Sequence, residues 1–312
     1  AVLGVATQIW FLIDSAPLGI FWRGVAIGVN YAVWFIVIQH FHGIVATKQP
    51  ATTAPALADK LGDLSSDAGV ERFVDEVAHL IRSQAAGIFG NLLGVVPVVL
   101  LAQWLTRQLL GSPLIGTAPA LHTLHDLTLL GPTAFYAAIT GVVLFASSMI
   151  AGWVENWFVW HRLDSAIAWN PRFVARLGAT RARRWSVYWR THIASYAANV
   201  SLGLLLGLVP AVALFFSLPV DVRHVTLGTG ELFTAVGALG SSTLATPPFW
   251  WCVAGVAATG TLNLGVSFLL AFRVALRSRD IRIADRGRIH RALRRRLRQA
   301  PLSFVFPTRP AS

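Results

Sequence analysis

A single cysteine, Cys252, lies inside an apolar run, which leaves no disulfide framework and no cysteine metal site. Charge is equally scarce. Only 13% of the 312 residues are charged against 55% hydrophobic, with a mean hydropathy of +0.60, and that balance excludes a soluble globular domain. The one methionine is Met149, and the chain opens at Ala1 within an apolar stretch, so it reads as the C-terminal part of a longer protein whose N-terminal half is a further partner. Residues 1–13 lack the charged flank and cleavage pattern of a signal peptide and read as the end of a helix. A phosphate-binding Gly-x-x-x-x-Gly-Lys loop, a Gly-x-Ser-x-Gly elbow and a His-Glu-x-x-His pair are all missing. No hydrolase is indicated, no catalytic residue is assigned, and no cofactor or metal is expected.

What the chain does have is length of apolar run. The stretches 86–105, 133–158, 194–218 and 249–272 each match the ~20 residues a bilayer core requires. With the truncated helix at 1–13 and a second at 18–38, the expected fold is an all-α polytopic transmembrane bundle of about six spans. Its divisions are a first hairpin (1–38), a cytoplasmic segment with an amphipathic helix (39–85), a repeat unit (86–160), a basic cytoplasmic loop (161–193), a second repeat unit (194–272) and a basic cytoplasmic tail (273–312). The amphipathic helix is read from Val70, Phe73, Val74, Val77, Leu80 and Ile81, which share one face.

Seven arginines in 161–192 and twelve in 273–312 make up nineteen of the 26 basic residues. Lys/Arg-rich loops stay in the cytoplasm, so both segments are placed there, in a bacterial inner membrane. Trp22, Trp104, Trp250 and Trp251 then fall near the outer interface, and Trp157 and Trp160 near the inner one. The net charge of +12 sits on flanks of membrane helices rather than over a groove, which favours lipid over nucleic acid as a partner. In the tail, Ile289, Leu293 and Leu297 form a narrow apolar stripe among arginines, a pattern that suits an anionic leaflet.

An internal repeat runs through the apolar part. Residues 92–101 and 205–214 agree at seven of ten places at an offset of 113, each with a central proline, Pro97 or Pro210. Ile115-Gly116-Thr117 and Leu227-Gly228-Thr229 follow at nearly the same offset. The pairing implies a parallel duplication of a Pro-containing helix, a Gly-Thr helix start and a return span.

Helix starts present unpaired N–H groups and partial positive charge, and either hold anions or are plainly capped. Candidates for holding an anionic group are Lys48, Gln49 and Thr53 in the first Thr-Ala-Pro-Ala-Leu copy, Thr117 in the second, and Arg223, His224, Thr226 and Thr229 in the later segment. Glu155 and Asn156 lie near the end of one span, with Glu155 reaching water or Arg162. Asn30, Asn91, Asn199 and Asn263 are expected to make interhelical hydrogen bonds. His40 and His42 form a weak His-x-His pair.

The polar strings 46–57 (Ala-Thr-Lys-Gln-Pro-Ala-Thr-Thr-Ala-Pro-Ala-Leu) and 218–230 (Leu-Pro-Val-Asp-Val-Arg-His-Val-Thr-Leu-Gly-Thr-Gly) resemble the C-terminal membrane region of a proteobacterial family catalogued as site-specific recombinase. That resemblance implies DNA strand exchange. The residues offer only Tyr188, beside Trp185 and Trp189, as a tyrosine in a basic segment, and no soluble domain for a serine nucleophile. The expectation is therefore transport or handling of a small anionic solute or lipid headgroup, with a recombination enzyme and a membrane scaffold as the alternatives.

Overall fold

The structure, a computed structural model, describes residues 1–41, 43, 57, 66–278, 286–304 and 306. Among them are eleven α-helices and two short 3-10 turns, and no strand. Five helices are long and apolar enough to cross a bilayer: α2 (Ile20–His40), α3 (Asp67–Leu110), α5 (Thr133–Trp160), α8 (Ala179–Phe215) and α10 (Pro247–Ser278). Helix α1 (Val2–Ser15) has 14 residues, about 21 Å of rise, which is short of a full crossing. Only 11% of the apolar window of α3 is buried within the protein. Large side chains such as Leu93, Leu101, Trp104, Trp153, Val212 and Trp250 point outward. Water would make that exposure costly and lipid would not, so the surface itself is that of a membrane protein.

The chain divides into two compact units. The first comprises Ala1–Phe11, Ile44–Phe145 and Asp221–Ser312. Its α3 is capped by Ser66, whose Oγ accepts the Gly69 N–H at 3.0 Å, and ends at Gly111 in the left-handed conformation, φ +71°. Between those caps the helix runs unbroken, so the amphipathic face at 70–81 and the apolar stretch from 86 belong to one 44-residue helix. The division expected at 85/86 is not a break in structure, because nothing between Ser83 and Gly90 terminates a helix. Helices α4 (Thr117–Leu127) and α9 (Val225–Leu239) are short and apolar. Leu124 and Leu127 of α4 meet Val225, Leu232 and Val236 of α9 and Phe249, Cys252 and Val256 of α10 in one buried cluster. Gly255 is required there: a Cβ at that position would collide with the Leu127 carbonyl.

The last helix of this unit, α11 (Arg286–Gln299), lies on the polar beginning of α3. Ile289, Ala292 and Leu293 pack on Val70, Phe73, Val74 and Val77. Arg288, Arg295 and Arg296 pair with Asp67, Glu71 and Asp75, acids spaced four apart on one face. Much of the tail's apolar stripe is thus spent within the protein, while Leu297 and Arg291, Arg294 and Arg298 stay exposed.

The second unit comprises Leu12–Gly43 and Ala146–Val220. Its core is the α2–α8 pair, in which Gly24 and Gly28 face Gly203 and Gly207 so closely that a Cβ at Gly203 or Gly207 would enter the opposite backbone. Small residues let two membrane helices approach and gain dispersion contacts that lipid cannot replace. The basic segment 161–193 is not a loop but two short helices, α6 (Leu163–Trp169) and α7 (Pro171–Leu177), followed by the start of α8. Asn170 caps α7 and Pro171 opens it, which explains why the chain restarts a helix here. Arg190 pairs with Asp164 at 3.4 Å, and Arg183 stacks 4.6 Å from the Trp169 ring.

Candidate functional site

Helix α8 stops at Phe215, with Ser217 at φ +54° and Pro219 just beyond. The following segment, Asp221 to His224, stays non-helical and delivers the start of α9 into the interior of the first unit, where every residue from His224 to Gly230 is buried. Burial creates a problem, because a helix start leaves N–H groups with no internal partner. Asn263, from the middle of α10 and wholly buried, resolves part of it. Its Oδ1 accepts the Val225 N–H at 3.2 Å, while its Nδ2 donates to the carbonyls of Ala137 at 2.9 Å and Arg223 at 3.0 Å. One amide therefore ties α5, α10 and the start of α9 together. Thr140 of α5 adds a second tie, since its Oγ1 accepts the Arg223 N–H at 2.6 Å and donates to the Tyr136 carbonyl at 2.8 Å.

The Arg223 side chain is 15% exposed. Its guanidinium pairs with Asp221, donates to the Val222 carbonyl at 3.2 Å, lies 3.9 Å from Asp126 of α4 and sits 5.5 Å from the Tyr136 ring. Burial pulls its pKa down, but Asp221, Glu231 and Asp126 outweigh that and hold it above the ordinary arginine value. Asp126 is shared outward with His122 at 3.1 Å and His125 at 3.5 Å. His224, in the connecting segment and fully buried, is pushed by desolvation down to about 4, so it is neutral at physiological pH. Thr229 Oγ1 donates to the Val225 carbonyl at 2.8 Å, whereas the buried hydroxyl of Thr226 has no hydrogen-bond partner. The segment thus brings a guanidinium already paired with Asp221, a buried helix start and an unpartnered Thr226 hydroxyl within four residues of one another along the chain.

Of the residues singled out from sequence, Arg223, His224, Thr226, Thr229 and Asn263 come together here. Lys48, Gln49, Thr53 and His42 lie outside the described residues. Thr117 is the first residue of α4 rather than its cap; Gly116 occupies the cap position, and both are exposed. The α9 start falls at Val225, four residues before the expected Thr229, because His224 already takes the cap position. Glu155 and Asn156 are exposed near the end of α5, and Glu155 makes no ion pair with Arg162. Asn199 does bond across helices, to Gln39 in the second unit. Asn30 is buried, and Asn91 has a buried Nδ2 with no hydrogen-bond partner. Asp126, Tyr136, Thr140 and Asp221 escaped sequence reasoning. Only Asp126 carried a signal, as a lone acid beside two histidines in an apolar stretch. Tyr188 stacks on His192 with ring centroids 4.4 Å apart, and its hydroxyl meets that of Tyr196.

A family model described as "Site-specific recombinase" matches residues 1–307 of the chain. Comparison with curated proteins and with solved structures gives no match.

Proposed function

The chain belongs to the site-specific recombinase family, and from that premise we propose that it is a multi-pass inner-membrane protein that transports or holds a small anionic solute or lipid headgroup at the buried start of α9. The observation that carries this reading is Arg223: a firmly protonated guanidinium beside a helix start, enclosed by apolar helices. An ionisable side chain so largely removed from water among apolar helices is the natural place to look for a function. Asp221 occupies the guanidinium in the resting arrangement, standing in for the anion. An incoming phosphate or carboxylate displaces Asp221 from the guanidinium.

In this reading residues 161–192 and the C-terminus face the cytoplasm. The exposed Arg291, Arg294 and Arg298 of α11 meet the anionic leaflet, and the two runs of long helix, short helix and long helix descend from one duplication. The shared order α3–α4–α5 and α8–α9–α10, with a proline in the first helix of each, supports the duplication. The DNA-recombination reading rests on the family's description; the pairing of Arg288, Arg295 and Arg296 with acids of α3 leaves less of the tail for a nucleic acid.

The test is retention and flux of inorganic phosphate in proteoliposomes, together with mass spectrometry of co-purified phospholipid. Wild-type protein is expected to retain one or the other. Arg223→Gln abolishes the retention, and Asp221→Asn increases it. Identical behaviour of wild type and Arg223→Gln would overturn the proposal, and DNA cleavage by the membrane region would replace it.

A further inference from the structure

Along one face of α9 the residues carry either a hydroxyl or no side chain. Thr226, Gly230, Thr234 and Gly237 recur at helical spacing. The opposite face, Val225, Leu232 and Val236, is packed into the apolar cluster with α4 and α10. Polar side chains of two other helices meet the first face. Thr7 of α1 approaches Gly230, where a Cβ would lie 2.6 Å from its Oγ1, and Gln103 of α3 approaches Gly237, where a Cβ would lie 2.9 Å from its Cγ. Gln8 donates from Nε2 to Thr234 Oγ1 at 2.7 Å, and that hydroxyl donates to the Gly230 carbonyl at 2.7 Å. Gln103 accepts the Leu114 N–H on its Oε1 at 3.0 Å.

Each of these arrangements leaves one group over. The Oε1 of Gln8, the Nε2 of Gln103 and the Oγ1 of Thr226 are buried without a hydrogen-bond partner, on residues only 8%, 2% and 1% exposed. Orphaned buried polar atoms are rare in native proteins, and those that occur on one continuous polar surface are ordinarily satisfied by internal water. The three orphan groups belong to a residue of this face and to two side chains packed against it, and each is a group to which an internal water binds. We propose that the Thr226–Gly230–Thr234–Gly237 face of α9, with Thr7, Gln8 and Gln103, forms a hydrated track that joins the buried start of α9 to its Leu239 end. The track gives water, and any small hydrophilic ion travelling with it, a route inside an otherwise apolar bundle. It goes beyond the anion site and stands whether or not an anion binds at Arg223.

Thiol accessibility tests it directly, because Cys252 is the chain's single cysteine. In a Cys252→Ala background, cysteines are placed on the two faces of α9 as Thr226→Cys and Thr234→Cys against Val225→Cys and Val236→Cys, all close in volume. A small water-soluble thiol reagent is added to the full chain in native membranes. The track predicts modification of the first pair at least about tenfold faster than the second, since reaction follows exposure of the thiolate to water. Equal rates on the two faces would overturn it. Water-to-protein polarisation transfer in wild-type protein reconstituted in lipid gives the same answer without substitution: Thr226 and Thr234 are polarised early and Leu232 late, and the reverse order refutes the track.

Discussion

The similar tripeptides Ile115-Gly116-Thr117 and Leu227-Gly228-Thr229 lie at the start of α4 and just inside α9, and the two helix starts have opposite surroundings. Thr117 and the residues just after it are exposed, and no side chain caps the helix. The start of α9 is buried, and Asn263 caps it from another helix. The cause lies upstream. Helix α3 continues to Leu110 and closes on Gly111, whereas α8 stops at Phe215 ahead of Pro219, leaving an extended stretch that carries Asp221, Arg223 and His224 inward. One helix start is solvated and the other is enclosed. Burial, rather than the Gly-Thr sequence, makes the difference.

The largest break in this comparison is expected from Asn263→Ala. It strands the buried Val225 N–H and Arg223 carbonyl and removes a second donor from the helical carbonyl of Ala137, at a cost of about 3 kcal/mol. Unfolding of the protein in detergent, followed by circular dichroism, measures it. Next in size is acid. His224 is held neutral by burial, with a pKa depressed to about 4, so the unfolded chain binds more protons between its ordinary value near 6.5 and that point. Stability is therefore full above about pH 6.5 and falls toward pH 4, by on the order of 3 kcal/mol. Unfolding midpoints across that range check it, and His224→Gln flattens the decline.

Thr226→Val is expected to cost about 1 kcal/mol, the net worth of a hydrogen bond to bound water. A gain in stability would show the hydroxyl to be dry and would count against the track along α9. Smallest of all, Thr117→Ala on the exposed start of α4 changes stability by less than about 0.5 kcal/mol. A larger loss would mean that the two starts are alike after all.

The long helices were legible because a bilayer demands a length of apolar sequence that nothing else does, and α5 and α10 lie close to where their hydrophobic runs place them. Asn263 was legible for the same reason, since a polar amide amid such a run must find partners. The joins were not legible. The polar start of α3 and its apolar part differ in composition, which hides that one helix carries both. Arginines in 161–193 read as a loop although most of them sit on helices. The acids Asp67, Glu71 and Asp75 lie on the polar face of an amphipathic helix, where sequence alone does not tell a solvated acid from one paired with Arg288, Arg295 or Arg296 of α11. At the site, Thr140 and Tyr136 are far from Arg223 in sequence, and no periodicity connects a side chain of α5 to the start of α9.

The central claim is that the enclosed helix start holds a small anion through Arg223. Equilibrium dialysis of radiolabelled inorganic phosphate against the full chain in detergent tests it most directly, with Arg223→Gln and Thr117→Ala beside wild type. The account predicts saturable binding that weakens at least about tenfold in Arg223→Gln, as loss of a charged hydrogen bond implies, and is unchanged in Thr117→Ala. Binding that survives Arg223→Gln, or that depends on Thr117, would contradict it.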